Sequence, residues 1–207
     1  PTIVLNGDVT DNTVNQSQGT VNLNAAYSGA DIDIKGGKFI TTNKGTITAA
    51  NQMSITGDTS DVELNANINT IDMQKGKLTQ NAGTITNISI SGGENLFKGT
   101  VANATISATG EGTPATFDVG SNISVKATVT GGETLIKGSA KEVEQSAGVV
   151  NLSNTTSALR NVVTTYTLTG GELFANKNSA IGTLKMSDGT LRLTNTTLTI
   201  GTGGFIT

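Results

Sequence analysis

The chain has 207 residues, with 26 Gly, no Cys, His or Trp, and only 5 Phe and 2 Tyr; Thr (36), Asn (21) and Ser (15) fill 72 positions. Without His or Cys there is no imidazole base, no thiolate nucleophile, no disulfide and no thiolate or imidazole metal site. Net charge is −3, with 2 Arg and 11 Lys, which argues against the concentrated basic stripe that a nucleic-acid surface needs. The apolar residues are largely β-branched and alternate with polar ones, and the chain combines modest hydrophobicity with little charge, so the composition points to folded β structure and away from disorder.

The first segment, Pro1–Thr10 (Pro-Thr-Ile-Val-Leu-Asn-Gly-Asp-Val-Thr), is strand-like. From Gly19 onward one pattern recurs: an alternating strand, a Gly-Gly pair, a charged residue and an apolar pair. It reads Ile32-Asp33-Ile34-Lys35-Gly36-Gly37-Lys38-Phe39, then Ile71-Asp72-Met73-Gln74-Lys75-Gly76-Lys77-Leu78, then Ile88-Ser89-Ile90-Ser91-Gly92-Gly93-Glu94. Thr128-Val129-Thr130-Gly131-Gly132-Glu133 and Tyr166-Thr167-Leu168-Thr169-Gly170-Gly171-Glu172 follow. The second glycines at 37 and 76, and at 93, 132 and 171, are 39 residues apart. Weaker copies lie between them: Met53-Ser54-Ile55-Thr56-Gly57, Ile106-Ser107-Ala108-Thr109-Gly110 and Leu184-Lys185-Met186-Ser187-Asp188-Gly189. With Gly19 and Gly148, these corners are separated by 16 to 23 residues, so the 39-residue unit is two turns of about 19 to 20.

A period near 19 with period-2 strands inside it predicts an all-β, single-stranded parallel β-solenoid of about ten coils. Glycine lets each corner take a positive φ. The inward positions are Ile32/Ile34, Met53/Ile55, Ile71/Met73, Ile88/Ile90, Val129, Tyr166/Leu168 and Leu184/Met186, with Asp, Ser, Thr and Lys outward. At a strand spacing of about 4.8 Å, ten coils form a rod about 50 Å long, and its narrow interior is expected to prefer Ile, Val, Leu and Ala over bulky rings. Residues 19–193 are assigned to the solenoid, and 1–18 and 194–207 to strand-like docking or capping segments. The longer steps predict insertions near Glu111–Ala115 and Asn154–Arg160, the second with a helical turn at Ser157-Ala158-Leu159-Arg160.

Paired carboxylates on a β-helix can cleave sugars, and Glu94, Glu133 and Glu172 recur at one register. They would lie on one column two coils apart, about 9.6 Å. Lys38 and Lys77 occupy the same slot in other coils, so the slot reads as a repeated exposed corner. Asp31 with Asp33 and Asp58 with Asp61 are the calcium candidates, but the Gly-Gly-x-Gly-x-Asp repeat of calcium-binding β-rolls is absent. Thr128/Thr130 and Thr167/Thr169 suggest an ice-matching ladder, which Asp33, Lys35, Asp72 and Gln74 in the same slots oppose. Asn-x-Ser/Thr sequons such as Asn87-Ile88-Ser89 and Asn103-Ala104-Thr105 follow from composition. No catalytic, cofactor-binding or metal-ligating residue is assigned, and no cofactor is expected.

From roughly Gly19 to Gly189 the chain resembles two groups of β-solenoids: the virion surface proteins of tailed bacteriophages and the passenger regions of autotransporter adhesins. The resemblance is one of pattern and transfers no functional residue. It implies a non-enzymatic structural protein, with a phage head decoration or fibre component ahead of a secreted adhesin or end-to-end filament subunit, and a carbohydrate-active enzyme a remote third. The partners implied are capsid or tail proteins, or copies of the chain itself as homotrimers or head-to-tail stacks, with no nucleic acid and no membrane insertion. No apolar run reaches membrane-spanning length, and no charged-then-apolar leader is present. Pro1 is the type of residue left when an initiator Met is removed, so the expected location is the virion surface after synthesis in a host cytoplasm, with the cell surface or exterior as the alternative.

Overall fold

A computed structural model describes residues 1–10, 12–42, 47, 52–153, 161–176, 179–193 and 198–206. Among these residues all regular structure is β, in 22 strands, and every strand pairing is parallel. The chain winds as a solenoid of about ten coils with three ladders of strands per turn.

Face I begins with β1 (Thr2–Leu5), which pairs with β4 (Thr20–Leu23) so that Ile3 lies beside Val21 and Leu5 beside Leu23. The ladder continues through β7 (Gly37–Thr41), β9 (Ser60–Leu64), β11 (Lys77–Gln80), β13 (Glu94–Phe97), β15 (Ala115–Phe117), β17 (Glu133–Ile136) and β19 (Val149–Leu152). Face II starts with β2 (Val9–Thr10) and β5 (Tyr27–Ser28), and single bridges carry it from Tyr27 to Ile47 to Ile68. Face III starts with β3 (Val14–Gln16), β6 (Ile32–Ile34) and β8 (Met53–Ile55).

From Ile68 onward one strand serves faces II and III together: β10 (Ile68–Met73), β12 (Thr84–Ile90), β14 (Thr100–Ile106), β16 (Asn122–Val129) and β18 (Ser139–Gln145). β20 (Asn161–Ala175) and β21 (Ser179–Leu193) run through all three faces, and β22 (Thr199–Ile206) adds a rung to faces II and III. The flanking segments thus contribute rungs at both ends, through β1 to β3 and through β22.

Each strand exposes alternate side chains to the interior because successive Cβ atoms point to opposite sides. Ile32, Ile34, Met53, Ile55, Ile71, Met73, Ile88, Ile90, Val129, Tyr166, Leu168 and Leu184 are all buried, as expected from their spacing. Met186, in the last turns, is half-buried against the core. Burying a large aliphatic side chain is worth about 1.5–3 kcal/mol, so one continuous interior column holds the rod together along its length.

The sharp corner lies between faces III and I. Gly37 and Gly132 adopt φ of 81° and 67° there, and the corner carbonyls chain the turns together: Lys38 N donates to Gly19 O (2.7 Å), Glu94 N to Gly76 O (2.8 Å) and Val149 N to Gly132 O (2.9 Å). Gly57 and Gly110 depart from the expected pattern, since neither has a positive φ. At both places a short turn replaces the tight corner, closed by Ser60 N to Gly57 O (3.0 Å) and Thr113 N to Gly110 O (3.1 Å). The second turn is the insertion expected near Glu111–Ala115, preceding β15. The insertion and helical turn expected at Asn154–Arg160 lie outside the described residues.

The interior also corrects the expectation about rings. Tyr27, Tyr166, Phe39, Phe97 and Phe117 are the largest fully buried side chains. Phe97 and Phe117 stack with centroids 4.8 Å apart and planes at 23°. Small residues make the room: the turn holding Phe117 also carries inward Ala104 and Ala115, and the turn holding Tyr166 carries Ala175.

Candidate functional site

The carboxylates of the Gly-Gly corners fall on one column of face I, as their register implied. Asn95 pairs with Ala115 and Ala115 with Thr134, so Pro114 stands between Glu94 and Glu133; Val149 stands between Glu133 and Glu172. The same column carries Thr20, Lys38, Asp61 and Lys77 towards the N-terminus. Glu94 and Glu133 are exposed, and a proline or valine separates each acid from the next. Glu172 is held by Arg192 of the next turn at 3.2 Å, and the same guanidinium lies 5.8 Å from the Phe174 ring centroid.

Lys38 meets Glu63 at 2.6 Å and Asp61 at 3.6 Å. Its hydrogen bond to Glu63 raises its pKa, against a smaller opposing effect of desolvation. Lys126 is raised in the same way by its hydrogen bond to Glu144. Of the calcium candidates, Asp61 answers Lys38, and Asp58 pairs with Lys75 at 3.3 Å. Among the described residues no three carboxylates converge as a metal-binding group.

The threonines of face III stand two turns apart. Thr128 neighbours Glu144, and Glu144 neighbours Thr167. The column also contains Asp33, Ser54, Asp72, Ser89, Thr105 and Lys185, so it presents mixed charge where an ice-matching surface needs uniform hydroxyls.

A shallow groove of about 300 Å³ crosses face I beside the inserted turn, lined by Lys77, Leu78, Glu94, Leu96, Thr113 and Pro114 among others. A second depression follows the neighbouring corner past Asp58, Gly76, Gly93, Gly110 and Glu111. Thr113 of the inserted turn lines both.

Sequence reasoning missed a set of interior amides. Gln16, Gln80 and Gln145 end strands with their side chains buried. Each donates through Nε2 to the glycine carbonyl three residues on: Gly19 at 3.1 Å, Gly83 at 2.9 Å and Gly148 at 3.0 Å. Each also donates to a carbonyl of the following turn: Lys38 at 2.9 Å, Thr100 at 3.0 Å and Glu172 at 3.1 Å. The amide thereby gives a second hydrogen bond to glycine carbonyls that already accept Lys38 N, Thr100 N and Glu172 N of the next turn, using the second lone pair of each oxygen. The signal is Gln-x-x-Gly at 16–19, 80–83 and 145–148.

Only Gln145 has its oxygen engaged too, by the Tyr166 hydroxyl at 2.5 Å; Gln16 Oε1 and Gln80 Oε1 have no protein partner. Burial pushes the Tyr166 phenol well above the ordinary tyrosine range. These groups stabilise turns and reach no open surface. Neither the family models, nor the curated proteins, nor the solved structures yielded a match to this chain.

Proposed function

We propose that this chain is a non-enzymatic structural rod, and that it serves as a surface component of a bacteriophage virion, a head decoration or a fibre element. The observation that carries the reading is the stacked core. Inward residues on three parallel ladders repeat from the first described turn to the last, so coil number sets length and no part of the rod can hinge without breaking ladder bonds. The corner acids support a structural role because proline and valine separate them on an exposed column. Antibody against the purified rod tests the reading on phage lysates: labelling of virion heads or tails is expected, and labelling confined to the bacterial envelope would overturn it.

One observation favours a second reading. The large exposed apolar residues include Ile3 (54%) and Val4 (48%) in the first rung and Leu193 (51%) and Ile206 (50%) in the last ones. Strand edges of this kind recruit further strands, which another copy stacked end to end or further coils of a longer polypeptide would supply. Electron microscopy separates the two: discrete rods of about 50 Å support the virion component, and filaments that lengthen with concentration support the adhesin or filament subunit.

A further inference from the structure

We infer that face I is a self-complementary surface on which two copies pack side by side, parallel, about a two-fold axis running along the rod. The fold needs only the single-turn period, yet the sequence repeats most strongly every two turns, and the extra information lies on the outside of face I. The strand Glu94-Asn95-Leu96-Phe97-Lys98 buries Asn95 and Phe97, leaving Glu94, Leu96 and Lys98 to face outward. Glu133-Thr134-Leu135-Ile136-Lys137 does the same two turns later, with Thr134 and Ile136 inside. Each strand therefore shows an acid at one margin, a leucine in the middle and a base at the other margin.

Within one strand the acid and base are about 13 Å apart and do not meet. A two-fold axis parallel to the rod and passing over the leucines exchanges the margins while keeping every turn level. Glu94 of one copy then faces Lys98 of the other, Glu133 faces Lys137, and Leu96 and Leu135 each face their own counterpart. This is the mutual i-to-j, j-to-i contact that a two-fold interface requires. Antiparallel packing of the same faces would set acid margin against acid margin.

The pairing pattern within the chain agrees with this. Lys38 meets Asp61 and Glu63, and Glu172, whose strand has Asn176 in the basic slot, is answered by Arg192. Glu94, Glu133 and Lys98 have no ion pair among the described residues, and neither has Lys77, the rung neighbour of Glu94. Lys98 makes only a 3.4 Å hydrogen bond to Asn81. Between the two charged strands the turn shows Pro114 and Thr116, and its Asp118 is engaged by Lys137 at 3.7 Å. The middle column is uncharged from Thr79 to Phe174, and over those rungs a face about 13 Å wide and about 24 Å long covers roughly 300 Å² per copy, or about 600 Å² for the pair, the size of a weak, concentration-dependent contact.

Sedimentation of the full chain tests the proposal. The parent is expected to be a dimer. Reversing the acids (E94K with E133K) or the bases (K98E with K137E) should each give a monomer with unchanged circular dichroism, and an equimolar mixture of the two should dimerise again. Because the chain has no Cys, L96C and L135C, made separately, should each form a disulfide with itself across the axis under oxidation, which only the parallel orientation allows at both levels. A monomeric parent, a trimer, end-to-end growth, or a dimer indifferent to both reversals would each overturn it.

Discussion

The turns before Ile68 and those after it solve the same corner differently. In the early turns faces II and III are separate strands of two and three residues, β5 and β6, joined through Gly29, Ala30 and Asp31. A Cβ on Gly29 would come within 2.1 Å of Asn12 O, so no side chain fits. The buried Tyr27 hydroxyl reaches the Asn12 carbonyl and lies 2.8 Å from Asp31 O. In the middle turns the corner is crossed by unbroken strands such as β12 and β14, through Thr86 and Ala102. A sharp bend thus needs a glycine and a side-chain cap, whereas a shallow one needs only residues content in extended backbone.

Truncating the middle of the core should have the largest effect and show where cohesion is concentrated. Ile106→Ala, fully buried, should lose about 2–5 kcal/mol in urea unfolding, and Met186→Ala at the half-buried end roughly half the lower figure or less. Equal losses would mean that the terminal turns are packed as tightly as the central ones. Next come the corners. A Cβ at Gly131 would sit 2.2 Å from Ser107 O, and Gly131→Ala should lose about 2–3 kcal/mol. Gly112 has φ of 67° but nothing within 4 Å of its Cβ position, so Gly112→Ala should lose only about 1–2 kcal/mol.

The interior amides allow a finer comparison. Gln145→Leu removes two amide hydrogen bonds and the acceptor of the buried Tyr166 hydroxyl, and should destabilise by about 2 kcal/mol. Gln16→Leu should lose less, because Gln16 Oε1 has no protein partner to lose. The smallest effect is in alkali. The folded state holds the Tyr166 proton above the pH at which the unfolded tyrosine releases it, so stability is intact below about pH 10 and falls above it by up to about 1.4 kcal/mol per pH unit. A Tyr166→Phe variant should show a shallower alkaline decline; an identical profile would place the sensitivity elsewhere, Tyr27 being the next raised phenol.

The legible part of this fold is what repeats in pairs. Ile32 with Ile34, or Ile88 with Ile90, shows alternation within one short strand, and the glycine after it shows where the chain bends. Face II was not legible because each rung carries a single buried apolar residue, as with Tyr27, Ile47, Ile68, Ile85 and Val101, and one residue has no period. Gln16, Gln80 and Gln145 were not found because an amide reads as a surface group unless the corner carbonyls it serves are known. The corner column of Glu94, Glu133 and Glu172 was legible in position. Its two-turn pairing with Lys98 and Lys137 was not, because that depends on which side chains a strand shows to solvent.

The parallel register has a consequence for how the chain reaches this state. Every rung joins residues 16 to 23 positions apart, so the mean separation between partners is about a tenth of the chain, a contact order more usual in helical bundles than in β sandwiches. Once two turns have closed on each other, each further turn needs only its predecessor as a template. The rod can therefore grow from a ribosome in the order in which it is synthesised, with only the first rung and the newest one open at any moment.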